Sequence, residues 1–237
     1  MTDQIPFSLA DSSAPLRAIE ADIEATLWND ALDEVEVLNR FRQAREAIER
    51  VMQRCDPAAL LACQALLAYA LLREDDLFFE LDGDVPASLS RMERAVSLAE
   101  TSGDEVQLGR CLMVQGERLA LAERPEEARH VWERCEALGR GKDDRGHRQL
   151  LGWLLIMRAR QGMREDALDL ALDLAQEAKG VLEAIEDEAG MGALYLVLAL
   201  LYEGLGRPAA DVAIAQAEAG RWTARARRRR AAPAQDV

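Results

Sequence analysis

The chain has 237 residues, 49% hydrophobic but only 5% aromatic, which is length enough for a continuous core of Leu, Ala and Val and too few strand formers for a sheet. Good helix formers dominate nearly every segment, so the fold class is all-α. The formal charge of −14 is unevenly placed: residues 221–230 hold six Arg and no acid, and without residues 221–237 the body keeps 23 basic and 42 acidic residues, a net −19 that excludes a nucleic-acid-binding face there.

Residues 1–13 show no period and form an irregular N-terminal segment ending in Asp11-Ser12-Ser13, a cap for a helix that opens at Ala14-Pro15. From there the pattern predicts about ten helices, at 15–28, 31–54, 57–73, 87–101, 105–123, 125–139, 145–161, 164–185, 189–204 and 208–227. The punctuation between them is Asp56-Pro57, Asp84-Val85-Pro86, Ser102-Gly103-Asp104, Arg124-Pro125, Gly139-Arg140-Gly141, Gly162 and Gly206-Arg207-Pro208. Connections this short make consecutive helices antiparallel. One stretch, residues 74–86, is longer and acidic, and reads as an insertion loop that docks through Phe78 and Phe79. A repeat domain over 14–222 and an Arg-rich tail over 223–237 complete the organisation.

Three of the four Cys, none in a short paired spacing, sit among apolar neighbours in helical pattern, as reduced thiols do. The N-terminus lacks a basic region followed by an apolar run, and the most apolar stretches, 58–72 and 193–202, are shorter than the ~20 residues that span a bilayer. A cytoplasmic protein without a membrane partner is expected.

Shifting the chain by 39 lays Ala128 on Ala167 and Gly103-Asp104 on Lys142-Asp143, and the next step, to Asp187, is 44. Each unit is two antiparallel helices. One unit reads Leu112, Gln115, Gly116, Leu119, Glu123, Ala128, Trp132, Cys135; another reads Tyr195, Leu198, Ala199, Tyr202, Gly206; between them lie Leu151, Leu154, Leu155, Gly162 and Ala167. Upstream, Ala65 and Tyr69 fit a first helix and Ser88, Met92 and Ala95 a second. These residues, over about 57–218, resemble the tetratricopeptide repeat family, in its longer variety of about 40 residues found in polarity adaptors, kinesin light chains and bacterial transcriptional activators. The resemblance departs from the family pattern at the middle unit, where a Leu occupies the helix crossing and Arg158 stands in place of a Tyr. It implies a right-handed α-solenoid in which small residues let paired helices approach and larger ones fill the seam between units.

No catalytic, cofactor-binding or metal-binding constellation is found. Gly139-Arg140-Gly141-Lys142 lacks the preceding Gly and the following Ser or Thr of a phosphate loop, having Glu136 and Asp143 there. His130 and His147 are 17 apart without a third ligand, and Cys135 and His130, five apart, face different sides of one helix. Acidic pairs such as Asp75-Asp76 and Asp143-Asp144 are ordinary in a chain with 43 acids.

The resemblance therefore implies a non-catalytic scaffold that holds a peptide or an amphipathic helix of another protein. Family geometry points Leu60, Cys63 and Leu67 into a concave wall, followed by Arg110, Met113 and Glu117, by Gln149, Ile156 and Arg160, and by Leu196, Leu200 and Glu203. In that wall Met113, Ile156 and Leu200 would meet the apolar face of the partner helix, and Arg110, Glu117 and Arg160 its charges. Two alternatives stand beside it: a regulator whose curvature changes on binding a peptide, and a wall covered by the protein's own terminal helices or by a second copy in a homodimer.

Overall fold

The structure is a computed structural model that describes residues 14–27 and 32–231. Its described residues form ten α-helices and no strand: α1 Ala14–Leu27, α2 Glu34–Met52, α3 Pro57–Asp82, α4 Val85–Ser102, α5 Glu105–Leu121, α6 Pro125–Gly139, α7 Arg145–Arg164, α8 Leu168–Ala184, α9 Glu188–Gly204 and α10 Ala209–Ala231. The irregular segment expected over 1–13 lies outside the described residues. None of the helices is long and apolar enough to cross a membrane.

Six of the helices begin at an Asp whose side chain accepts the backbone N–H three residues on: Asp33, Asp56, Asp84, Asp104, Asp144 and Asp187. The cap of α7 is thus Asp144, one residue beyond the Asp143 aligned by sequence. Four pairs close on a residue in the left-handed region: Glu123 (φ 57°), Asp166 (59°), Glu186 (53°) and Gly206 (63°). After each, the next N–H reaches back across the turn, from Arg124 to Leu119 O, Ala167 to Gly162 O, Asp187 to Leu182 O and Arg207 to Tyr202 O, at 2.8–3.0 Å.

Two expected boundaries are corrected. Gly162 does not end α7, because it lies where α7 meets α8: a Cβ there would come within 3.1 Å of the Ala171 Cβ, so the helix runs on to Arg164. Residues 74–82 are not a loop. Nothing between Arg73 and Asp82 breaks a helix, and α3 continues until Gly83, at φ 63°, caps it by donating to Phe79 O. At the other end α10 extends to Ala231, so the first residues of the expected tail are helical.

The described residues divide into two compact units, unit 1 up to Leu138 and unit 2 from Gly139. In unit 1, α3 packs on α1, α2, α4 and α5, and every residue from 65 to 75 is buried. A helix covered on all sides needs no polar face, which is why residues 65–72 are apolar without a helical period. Its neighbours bury one stripe each: Phe41, Ala44 and Ile48 on α2, and Ser88, Leu89, Met92, Ala95, Val96 and Ala99 on α4. Between α5 and α6, Gly116 admits the Trp132 ring, whose Nε1 donates to Met113 O at 3.0 Å; a Cβ on Gly116 would sit 2.2 Å from that nitrogen.

Unit 2 repeats the scheme. α7 packs on α8 and α9, and α9 on α8 and α10. α8 presents Ala171, Ala175, Ala178 and Leu182, spaced four, three and four residues apart, as a buried stripe. Gly152 of α7 receives Leu182, where a Cβ would meet Leu182 Cδ2 at 2.5 Å, and Gly192 of α9 receives Thr223 of α10.

Candidate functional site

Of the residues expected to line a wall, those on α9 are free and most of the others are not. Leu196 and Leu200, one turn apart, are 55% and 54% exposed, and Glu203 continues the same face. Arg160 of α7 is also exposed. Ile156, only 2% exposed, and Gln149 are buried in unit 2. In unit 1, Met113 keeps 7% exposure, Arg110 is buried, and Glu117 is half-buried and bonded to Arg118 Nη1 at 2.9 Å. Cys63 and Leu67 are buried and Leu60 half-buried. Met113 and Ile156, expected to meet an incoming helix, therefore lie behind the surface. Helical periodicity gives the direction of a side chain but not what stacks over it.

Gln149 is held for a different purpose. Its Nε2 donates to Asp187 Oδ2 at 2.8 Å, and Trp153 Nε1 donates to the same oxygen at 3.1 Å, while Oδ1 takes the Gly190 N–H at 3.1 Å. One buried carboxylate thus caps α9 and ties it to α7.

The extended end of α3 carries a second cluster that sequence reasoning placed in a loop. Asp75 is fully buried; its Oδ1 accepts from Arg91 Nε at 2.8 Å, and its Oδ2 accepts from Ser88 Oγ at 2.7 Å and from Arg118 Nε at 3.4 Å. Arg118 Nε also donates to Ser88 Oγ at 2.9 Å. The guanidinium of Arg118 lies 3.7 Å over the Phe79 ring and that of Arg91 5.0 Å over Phe78, so the two rings dock as expected but against cations. Beside them Arg73 Nη1 pairs with Asp76 at 3.0 Å, Tyr69 donates to Glu24, and Glu74 faces Arg45 at 3.6 Å. Burial holds the Glu74 carboxyl above its ordinary range against the pull of Arg45, Arg91, Arg42 and Arg94, and pushes the Tyr69 hydroxyl up to about 12. The signal that could have found the cluster was the match of three consecutive acids with Arg residues at helical positions downstream.

The four Cys are free thiols; Cys63, Cys111 and Cys135 are buried, and burial pushes each up to about 12, which leaves them protonated and unreactive. His147 Nδ1 lies 2.7 Å from the cap Asp144, and His130 is exposed. Among the described residues no three His, Cys, Asp or Glu side chains converge as a metal site would require.

The helix pairs have counterparts among solved structures. One is a Podospora anserina chain of nearly identical TPR-like repeats, described as a kinesin light chain: 14% identical, TM-score 0.52, covering 92% of this chain and 100% of that one. The fold is a tetratricopeptide-like helical repeat. A second structure, BtubC (BKLC) from P. vanneervenii, is 16% identical with TM-score 0.49, over 95% of this chain and 97% of that one. No family model and no curated protein matches the sequence. In tetratricopeptide terms α3, α5, α7 and α9 are first helices and α4, α6, α8 and α10 second helices, and Gly116, Ala128 and Trp132 hold the small, small and aromatic positions read from the sequence.

Proposed function

We propose that the chain is a non-catalytic scaffold that holds a peptide or amphipathic helix of a partner protein, and that the contact is made by the free face of α9. The observation that carries the reading is the pair Leu196 and Leu200, more than half exposed on a first helix whose other apolar face packs on α7, α8 and α10. Exposed leucines one turn apart, with Glu203 one turn further, match the i, i+4, i+7 anchors of a helix docked on a helix. Arg160 of α7 supplies a cation of the same unit. Gln149 and Ile156 of the same unit are buried, Gln149 between α7 and the cap of α9, and do not touch the partner.

The test is Leu196→Asp combined with Leu200→Asp. Because both side chains already meet water, helicity and melting temperature stay within about 1–2 °C of wild type, while proteins that co-purify with the wild-type chain, identified by mass spectrometry, are lost. Met113→Asp or Ile156→Asp instead unfolds its unit by burying a charge. Unfolding of the Leu196/Leu200 variant, or its conversion from dimer to monomer, would show a core or a self-association surface and end the proposal.

A further inference from the structure

Two outward faces of unit 2 carry opposite charge. On α8 and the turn before it, Asp166, Asp169, Asp173 and Glu177 recur every three or four residues, away from the buried stripe of Ala171, Ala175, Ala178 and Leu182. All four acids are exposed. Glu177 meets Arg140 at 3.0 Å, but Asp166, Asp169 and Asp173 pair with no cation among the described residues. On α10, Arg221, Arg225 and Arg228 recur at the same spacing, away from the buried Ala215, Ala219 and Ala226. Arg221 is tied to Glu218 of its own helix, and Arg225 lies 4.8 Å over the Trp222 ring. Neither Arg225 nor Arg228 has an acid as partner among the described residues. Each face also shows water one large apolar side chain, Leu170 at 57% exposure and Ile214 at 61%. The helix dipole accounts for acids early in α8 and cations late in α10, but not for these two.

One copy cannot join the two faces. α8 and α10 both run against α9, hence parallel to each other, and the acids lie at the start of one while the arginines lie at the end of the other. Asp169 and Arg225 are thus about 20 Å apart along the helix axes. An antiparallel partner reverses the order. In one antiparallel register Arg221 falls opposite Asp173, Arg225 opposite Asp169 and Arg228 opposite Asp166, while Leu170 falls opposite Ala224 and Ile214 opposite Gly180. Three cations then meet three acids, and each large apolar side chain meets a small residue. Gly180 offers the room, since a Cβ there would meet nothing within 4 Å.

We infer that unit 2 joins a second copy of this chain in a two-fold dimer, α10 of each copy lying antiparallel on α8 of the other. The chain itself supplies both charges, and the two-fold axis makes the contact twice. One helix pair alone buries less than the roughly 1,200 Å² of a specific interface, and two approach it. The dimer is therefore salt-sensitive, with a dissociation constant on the order of 10 µM. It uses second helices and leaves Leu196 and Leu200 of α9 free for another protein.

Sedimentation velocity on the full chain, from roughly 2 to 200 µM, tests the dimer. Wild type passes from monomer to dimer at about 50 mM salt, and at about 500 mM the dissociation constant rises at least about tenfold. Arg221→Glu with Arg225→Glu, and separately Asp169→Arg with Asp173→Arg, each leave a monomer that melts within about 3 °C of wild type, because only exposed side chains change. An equal mixture of the two variants dimerises again, since each altered face then meets its opposite, a rescue that damage to the fold would not allow. A wild type that stays monomeric, a dimer retained by either variant, a mixture that fails to associate, or species growing beyond the dimer would overturn the inference. So would a monomeric wild type whose binding to heparin is lost in Arg221→Glu with Arg225→Glu, which would give α10 to a polyanion instead. The Leu196/Leu200 variant still dimerises; if it does not, self-association runs through α9 and the scaffold surface falls with the α8–α10 contact.

Discussion

In unit 1 the buried carboxylate of Asp75 is met by two guanidiniums and a hydroxyl, whereas in unit 2 the buried carboxylate of Asp187 is met only by neutral donors. Both acids join a helix to another helix of their unit, yet the physics differs. Asp187 is an N-cap enlarged by two side-chain donors, and an amide in its place would keep the bonds to one of the two accepting oxygens while turning an NH2 donor toward the others. Asp75 balances charge as well as hydrogen bonds, so that removing it leaves Arg118, itself buried, with only the half-buried Glu117 as counter-ion. A neutral network tolerates loss of charge; an ionic one does not.

Substitution by Asn separates the two cases. The largest effect is expected at Asp75, where Asn or Ala alike costs about 3–5 kcal/mol, because either removes the acid that Arg91 and Arg118 share and leaves Arg118 with only the half-buried Glu117. Adding Arg118→Met to Asp75→Ala recovers part of that loss, and a double-mutant cycle by urea unfolding measures the coupling. Strictly additive losses would mean that Arg118 is held by Phe79, Ser88 and Glu117 without need of Asp75. At Asp187 the order splits: Ala costs about 2–4 kcal/mol through the lost cap and two stranded donors, and Asn, which keeps one of the two accepting oxygens, costs about 1–2 kcal/mol. If Asp187→Asn proves as harmful as Asn at Asp75, a single accepting oxygen is no better than an unbalanced charge and the contrast between the units fails.

The same contrast explains what could be read in the sequence. Helix ends were legible wherever chemistry is local, as at Asp56-Pro57, Asp84 with Pro86, and Gly103-Asp104, because cap and first turn lie within three residues. The crossing of α5 and α6 was legible from Gly116, Ala128 and Trp132, which obey the period of a helix pair. The α3 extension was not, since Glu74-Asp75-Asp76 looks like solvated loop until Arg91 and Arg118, 16 and 43 residues downstream, are brought to it. Gly162 was read as a stop because a glycine that ends a helix and one that admits a neighbour look alike in sequence. For the site, the direction of Leu196, Leu200 and Glu203 followed from helical phase, while the burial of Met113 and Ile156 depends on packing that phase does not encode. Arg110 was named for its charge, and its burial likewise depends on packing that phase does not encode.

The smallest effect concerns how Asp187 is delivered. The residue before it, Glu186, is in the left-handed region at φ 53°, and only from that conformation does the Asp187 N–H reach Leu182 O at 3.0 Å while its carboxylate turns toward Gln149 and Trp153. For a side chain with a Cβ that region costs about 1–2 kcal/mol, a cost absent at the equivalent turn after α9, where Gly206 stands. Glu186 is exposed, so replacing it removes little packing. Glu186→Gly is therefore expected to stabilise by about 0.5–1 kcal/mol, the relief of strain being partly offset by the greater freedom of glycine in the unfolded chain. The sharper measurement is in combination: against Asp187→Ala the gain from Glu186→Gly should persist, since the strain is in the turn and not in the network. A gain that vanishes in that background would mean that the turn is held by Asp187, and that in unit 2 the buried carboxylate shapes the backbone as well as capping it.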